Sequence, residues 1–212
     1  LKKDDLINDA NQALFGINDN FFKTFKDRPN LITKREIRIQ ILADLELPDR
    51  GILWDIGAGC GSIGLEALRL RPKLELYCVD KRFGTKLLIN ENAKRLNVLP
   101  KKIFENDIRE IFKSRLNKLI PIPNRIIIGG CDNETKIFLI KELSKIQKNS
   151  HIIVIPIITF EYLEKIKILL KELKYEININ LIQIAKSISI GEGTRLEPNN
   201  PVFLIKGKFK SK

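Results

Sequence analysis

Asp55-Ile56-Gly57-Ala58-Gly59-Cys60-Gly61 lies between an apolar run, Ile52 to Ile56, and a helix-forming run that opens at Ser62. Alternating glycines let a chain turn at backbone angles closed to other residues and bring main-chain N–H groups to a ligand at a helix N-terminus. The chemistry this serves is the binding of a nucleotide-type cofactor. Gly59-x-Gly61-x-x-Gly64 also satisfies the dinucleotide fingerprint, with Asp80 at a distance suited to a ribose. Asp55 separates the two readings, because a carboxylate at the strand end repels pyrophosphate and attracts a cofactor carrying an ammonium and a sulfonium. A loop with only a structural role is the third alternative.

Asp55-x-Gly-x-Gly-x-Gly resembles the first motif of the class I S-adenosylmethionine-dependent methyltransferases. On that reading Asp55, Gly57, Ala58, Gly59, Cys60 and Gly61 contact S-adenosylmethionine. Asp80, at the end of the second expected strand, accepts from the ribose hydroxyls with Lys81 at the rim, or serves its helix N-terminus as an acid. Asp107 follows the third strand and can accept from the adenine amino group, cap the next helix, or both. Ile108 packs on the ring or donates its N–H. After the fourth strand, Gly129-Gly130-Cys131-Asp132 lacks the prolines and aromatic of an adenine-amine methyltransferase, and the two glycines are expected to leave room beside the methyl group for a bulky acceptor.

These residues need a parallel sheet to hold them. The apolar pattern predicts alternating strands and helices from Ile52 to Leu173, the rhythm of right-handed βαβ units that gather ligands at the strands' carboxyl ends. Before it, Thr33 and Glu36 have capping-box spacing ahead of a helix from about Lys34 to Asp44, with Ile37, Ile41, Leu42 and Leu45 on one face. After it, strands Glu176 to Ile190 and Val202 to Lys208 are joined only by the loop Gly191 to Pro201 and must be antiparallel neighbours. The expected fold is therefore a class I methyltransferase, Rossmann-like α/β sheet, mostly parallel and closed by a C-terminal antiparallel hairpin. Residues 1–30, with a helix around Asp4 to Leu14, form an N-terminal arm, and residues 31–212 form one domain.

The chain has 212 residues, 43% of them apolar, enough for one full core. Its apolar runs fall short of the ~20 residues of a membrane span, and a cytoplasmic protein is expected. Cys60, Cys78 and Cys131 are too scattered for a disulfide framework or a zinc site, and no metal is expected. His151, the one histidine, opens a strand and is a poor general base. The net charge of +12 suits either a polyanionic partner or a lysine-rich solvated surface. Lys206, Lys208, Lys210 and Lys212 come nearest to a basic tail, but aromatic stacking platforms are not interleaved, which argues against nucleic acid. An RNA-directed class I methyltransferase and a nicotinamide-dependent oxidoreductase stay open as alternatives.

Beyond the first motif, five segments in order resemble one family, the decarboxylating precorrin-6B carbon-15 methyltransferases of cobalamin biosynthesis. They are Gly16-Ile17-Asn18-Asp19-Asn20-Phe21, Leu31 to Arg38, Asp55 to Gly61, Ile128-Gly129-Gly130, and Gly193 to Phe203. Asn18, Cys60 and Asn106 stand where the family more often has Pro, Thr or Ser, and Gly. The resemblance implies S-adenosylmethionine as cofactor, with Thr33 helping to bind it, an anionic tetrapyrrole as substrate, and a homo-oligomer, often a tetramer. It also implies methyl transfer to a ring carbon together with loss of carbon dioxide from an acetate side chain, chemistry that requires no named catalytic base. Lys34, Arg35, Gly130, Thr194 and Arg195 are the expected substrate-binding residues, the last two on a loop over the strand ends, where Arg195 has the alternative of merely tying down the hairpin loop.

Overall fold

The computed structural model describes residues 13–29, 31–114, 120–147 and 149–211. Among these residues six α-helices and nine strands follow one another as α1 (Arg35–Asp44), β1 (Gly51–Ile56), α2 (Ser62–Leu70), β2 (Leu74–Val79), α3 (Thr85–Leu96), β3 (Lys102–Phe104), α4 (Ile108–Lys113), β4 (Arg125–Ile128), α5 (Asn133–Ile146), β5 (His151–Ile157), α6 (Phe160–Glu172), β6 (Glu176–Ile182), β7 (Ala185–Ile190), β8 (Gly193–Pro198) and β9 (Val202–Phe209). The main sheet has the order β3-β2-β1-β4-β5-β9-β6. Its first five strands pair in parallel, and β9 runs antiparallel to both β5 and β6.

Period-two alternation divides the core. On one face Leu53, Leu76, Cys78, Ile127 and Val154 pack with residues of α1, α2 and α3; on the other Trp54, Ile56, Val79, Ile126 and Ile128 pack with residues of α4, α5 and α6. Strands covered on both sides read as unbroken apolar runs, which is why β5 is His-Ile-Ile-Val-Ile-Pro-Ile. His151 is itself core. It is buried, shares a 2.6 Å hydrogen bond with the Tyr175 hydroxyl and stacks on Phe209, and burial holds its pKa below the usual histidine range.

The connections leave β1 in both directions along the sheet, toward β2 and toward β4, so the strand order reverses between β1 and β4. A crevice at their carboxyl ends follows. Among the described residues no helix is long and apolar enough to cross a membrane.

Three expectations change. The strand from Glu176 to Ile190 is two strands, since β6 loses its partner where β9 begins, at the pair Ile182–Val202. Beyond it β7 pairs with β8 as a separate two-stranded hairpin, and the supposed loop Gly191 to Pro201 contains β8. The capping box does not form: Lys34 is the N-cap of α1 without a side-chain bond, and the Glu36 carboxylate pairs with Lys186 on β7 at 3.3 Å. Third, the described part of the arm belongs to the core, with Ile17 and Phe22 buried in the cluster that holds Ile37 and Ile41. The helix expected at Asp4 to Leu14 falls almost wholly outside the described residues, as does Lys212.

The other basic residues near the C-terminus are neutralised locally. Lys206 and Lys208 both bind the Glu46 carboxylate, at 2.6 and 2.9 Å, and these bonds hold its pKa down at about 2. Lys210 pairs with Glu176 at 2.9 Å. They form no free polycationic strip.

Candidate functional site

A cavity of about 920 Å³ opens at the carboxyl ends of β3, β2, β1, β4 and β5. Its floor is the loop after β1. Gly57 has φ 73° and donates to the Val79 carbonyl at 2.8 Å, and its own carbonyl accepts from Gly130 N–H at 3.1 Å. A side chain at Gly57 would sit 2.6 Å from the Gly130 nitrogen, so the loops after β1 and β4 touch through backbone alone. Gly57→Ala combines a left-handed backbone with that overlap and is expected to destabilise the fold by about 2–3 kcal/mol, read as a shifted urea midpoint. An unshifted midpoint would mean that the two loops separate without cost.

Gly130 therefore lines the cavity but does not widen it, because its missing side chain is used for packing: a Cβ there would come within 2.8 Å of the Gly57 carbonyl. Gly59 is the open position. With φ 57° and nothing within 4 Å of where a Cβ would be, it presents bare backbone to the cavity.

Asp80 stands over this loop. Its Oδ2 accepts from Gly59 N–H at 2.8 Å and its Oδ1 from Arg82 N–H at 2.9 Å, so each oxygen keeps accepting capacity toward the cavity. Asp107, after β3, caps α4 through Arg109 N–H at 2.8 Å while lining the same space with Ile108. Lys81 lies at the mouth, 3.8 Å from Asp132. Thr33, Lys34, Ala58 and Cys60 complete the expected residues that the cavity brings together.

Five expected site residues lie elsewhere. Asp55 is buried behind the loop, where its Oδ2 accepts from Gly64 N–H at 3.0 Å and ties the start of α2 to β1; it does not line the cavity. Burial pushes its pKa up to about 7, against the lowering by the Gly64 bond, with the Asp80 charge adding to the rise. Gly61 is the N-cap of α2, at φ 78°. Arg35 donates to the Gly16 carbonyl and so holds the arm. Thr194 and Arg195 are exposed on β8, outside the cavity lining, and Arg195 pairs with Glu197 at 3.2 Å. The hairpin meets the cavity only at its base, through Ile184, Asn199 and Asn200.

The wall formed by Leu31, Ile32, Thr33 and Lys34 is braced by the arm. Arg38 and Glu66 are both fully buried and paired at 2.8 Å, and Arg38 also donates to Asp19 and to the carbonyls of Ile17 and Thr33. Glu66 in turn accepts from Gly16 N–H. The buried Asn92 amide of α3 bonds both main-chain groups of Lys23 and the Cys60 carbonyl, so arm and glycine loop are sewn to one helix. None of these three residues is evident from motif spacing. Their only signal is a polar side chain on the buried stripe of a helix, which also marks Lys136 on α5.

A mostly parallel seven-stranded sheet with an antiparallel β9, a glycine loop after β1 and acids after β2 and β3 defines a class I methyltransferase. A family model for the precorrin methyltransferase domain matches residues 23–207. The chain belongs to that family. It is 28% identical over 199 residues to a Saccharolobus solfataricus protein named "Probable cobalt-precorrin-6B C(15)-methyltransferase (decarboxylating)", covering 93% of this chain and 98% of that one. A Pyrobaculum aerophilum protein of the same name is 30% identical over 176 residues, covering 82% and 87%. The crystal structure of precorrin-6y C5,15-methyltransferase from Geobacter metallireducens superposes with a TM-score of 0.79 at 29% identity, covering 93% of this chain and 99% of that one.

Proposed function

We propose that this chain uses S-adenosylmethionine to methylate carbon-15 of a cobalt-precorrin-6B-type tetrapyrrole and promotes loss of carbon dioxide from its acetate side chain. The observation that carries this reading is one continuous cavity with two kinds of lining. Toward β3 and β2 it offers the carboxylates of Asp107 and Asp80; toward β5 and β9 it offers Pro156, Ile158 and Val202. A cofactor and a large acceptor both find complementary walls there.

The residues fit the cofactor. Asp80 is suited to accept from two ribose hydroxyls and Asp107 from the adenine amino group. Gly59 has no side chain to intrude, and Thr33 and Lys34 stand at the start of α1, where free N–H groups suit a carboxylate. When bound, S-adenosylmethionine supplies an electrophilic methyl group. The chain itself orients the acceptor and excludes water: Ile37, Ile56, Ile63 and Pro156 line the cavity with apolar surface, and an enamine-like ring carbon needs alignment more than a base.

Three unpaired cysteines fit a reducing, cytoplasmic setting. Assembly as a homotetramer is part of the same reading. It is supported by Leu181 on the edge strand and Ile190 and Leu196 on the hairpin, all exposed; a monomer in sedimentation would remove it.

The direct test is incubation with S-adenosylmethionine and cobalt-precorrin-6B, followed by mass spectrometry. The expected product is one methyl group heavier and one carbon dioxide lighter, and calorimetry should show S-adenosylhomocysteine binding where nicotinamide dinucleotides do not. Binding of the dinucleotide instead, or methylation of RNA, would overturn the proposal.

A further inference from the structure

Lys136 occupies a position that helix periodicity reserves for an apolar side chain. Ile140 and Leu143 follow it at four and seven residues on the buried face of α5, and Lys136 is only 7% exposed. Its Nζ donates to the Pro156 carbonyl at 3.0 Å, which leaves two of three ammonium N–H groups unused among the described residues. Asp132, one turn earlier, is engaged by Arg109 and Lys81, and among the described residues no carboxylate pairs with Lys136. Burial holds the ammonium below the usual lysine range.

Asp132 acts on it only at longer range, and a buried cation with no direct ion pair carries a desolvation cost that a ligand's carboxylate would offset. Both Lys136 and its partner Pro156 line the cavity. A second donor on the same lining is in a similar condition: Nδ2 of Asn199 is buried and has no partner among the described residues. Pro156 is the last residue but one of β5, and Asn199 stands three residues ahead of β9, the strand beside it. From β2, which Asp80 follows, to β5 is three inter-strand spacings, about 14 Å. These donors are therefore at the opposite end of the cavity from the acids suited to ribose and adenine.

We propose that Lys136 and Asn199 form a carboxylate seat that positions the substrate, a role that rests on the tetrapyrrole reading above. The carboxylate it takes is one that survives the reaction. A cation gripping the departing acetate would stabilise the charge that decarboxylation must withdraw, favouring the ground state over the transition state. The seat thus fixes the macrocycle by a spectator side chain and leaves the reacting acetate to the apolar part of the cavity.

The experiment is Lys136→Met, which keeps length and removes charge, with Lys136→Gln in reserve if the first variant does not fold. The expected result is a KM for cobalt-precorrin-6B raised at least tenfold, about 1.4 kcal/mol, with kcat within about threefold of wild type. Affinity for S-adenosylhomocysteine should be unchanged, and the melting temperature of the ligand-free enzyme unchanged or raised. Asn199→Ala should raise KM in the same direction. An unaltered KM, with or without a fall in melting temperature, would make Lys136 a strut between α5 and β5 and end the proposal; a lost kcat at constant KM would make it a participant in the chemistry and not a seat. A wild type that neither binds nor converts cobalt-precorrin-6B would overturn the functional reading and the seat together, whereas conversion with equal KM values overturns the seat alone.

Discussion

Arg38→Ala is expected to lower the unfolding free energy by about 3–5 kcal/mol, because it strands a buried carboxylate rather than deleting a surface pair. Glu66 would keep the Gly16 N–H bond but lose its one cation among the described residues, and the carbonyls of Ile17 and Thr33 would lose a charged donor. Urea denaturation followed by tryptophan fluorescence measures it, since Trp54 is buried in β1. The double variant Arg38→Met, Glu66→Leu should recover much of the loss, as buried pairs replaced whole by apolar residues of similar size often are tolerated. A single variant as stable as wild type would show that the arm does not depend on this pair. Cofactor affinity should fall with stability in Arg38→Ala, because the cavity wall at Thr33 is fixed by the same guanidinium.

Asp55→Asn should change the pH profile more than the structure. The Asp55 carboxyl has a pKa of about 7 in the folded chain against 3.8 as its ordinary value. Between those values the folded state holds a proton that the unfolded state has released, so stability falls as pH rises from about 4 to 7 and is level above. The whole contribution is at most about 4 kcal/mol, three units at about 1.4 each. Asparagine still offers an oxygen to Gly64 N–H and carries no charge to desolvate. Denaturation midpoints across pH 4 to 8 should therefore show the variant gaining on wild type as pH rises, with the gain complete near neutrality. Parallel profiles would mean that Asp55 is hydrated and its burial immaterial.

Asp55 also shows how far spacing can be read. The motif led to the loop that floors the cavity, while Asp55 itself lies behind it, bound to Gly64. The carboxylate acts through the peptide it holds, a distinction that appears only when the distance to Gly64 is known. The places of Asp80, Asp107, Gly57 and Gly59 on the cavity lining were legible because strand, turn and helix follow one another within a few residues, and the end of a parallel strand has one destination. Thr194 and Arg195 were not, because nothing between Glu176 and Ile190 signals the departure from the sheet. No glycine or proline interrupts that run; the strand ends where its partner, distant in sequence, begins. Arg38, Glu66 and Lys136 belong to a third kind. Each stands on an apolar stripe whose period is plain, and the charge within the stripe was the signal: two of them answer each other across helices, and the third faces the cavity.

β9 has a consequence for synthesis. The last strand among the described residues, it is an interior strand, seated between β5 and β6 along seven and seven paired residues. Every residue through Ile182 can leave the ribosome while those two strands still have no common neighbour. Until Val202–Phe209 arrives, β5 offers a long, almost wholly apolar edge to any other nascent chain. The sheet closes only after its ligand-binding half has long been made, so the interval between them is when this protein is most exposed to aggregation, and a stop codon placed before Val202 leaves it there permanently.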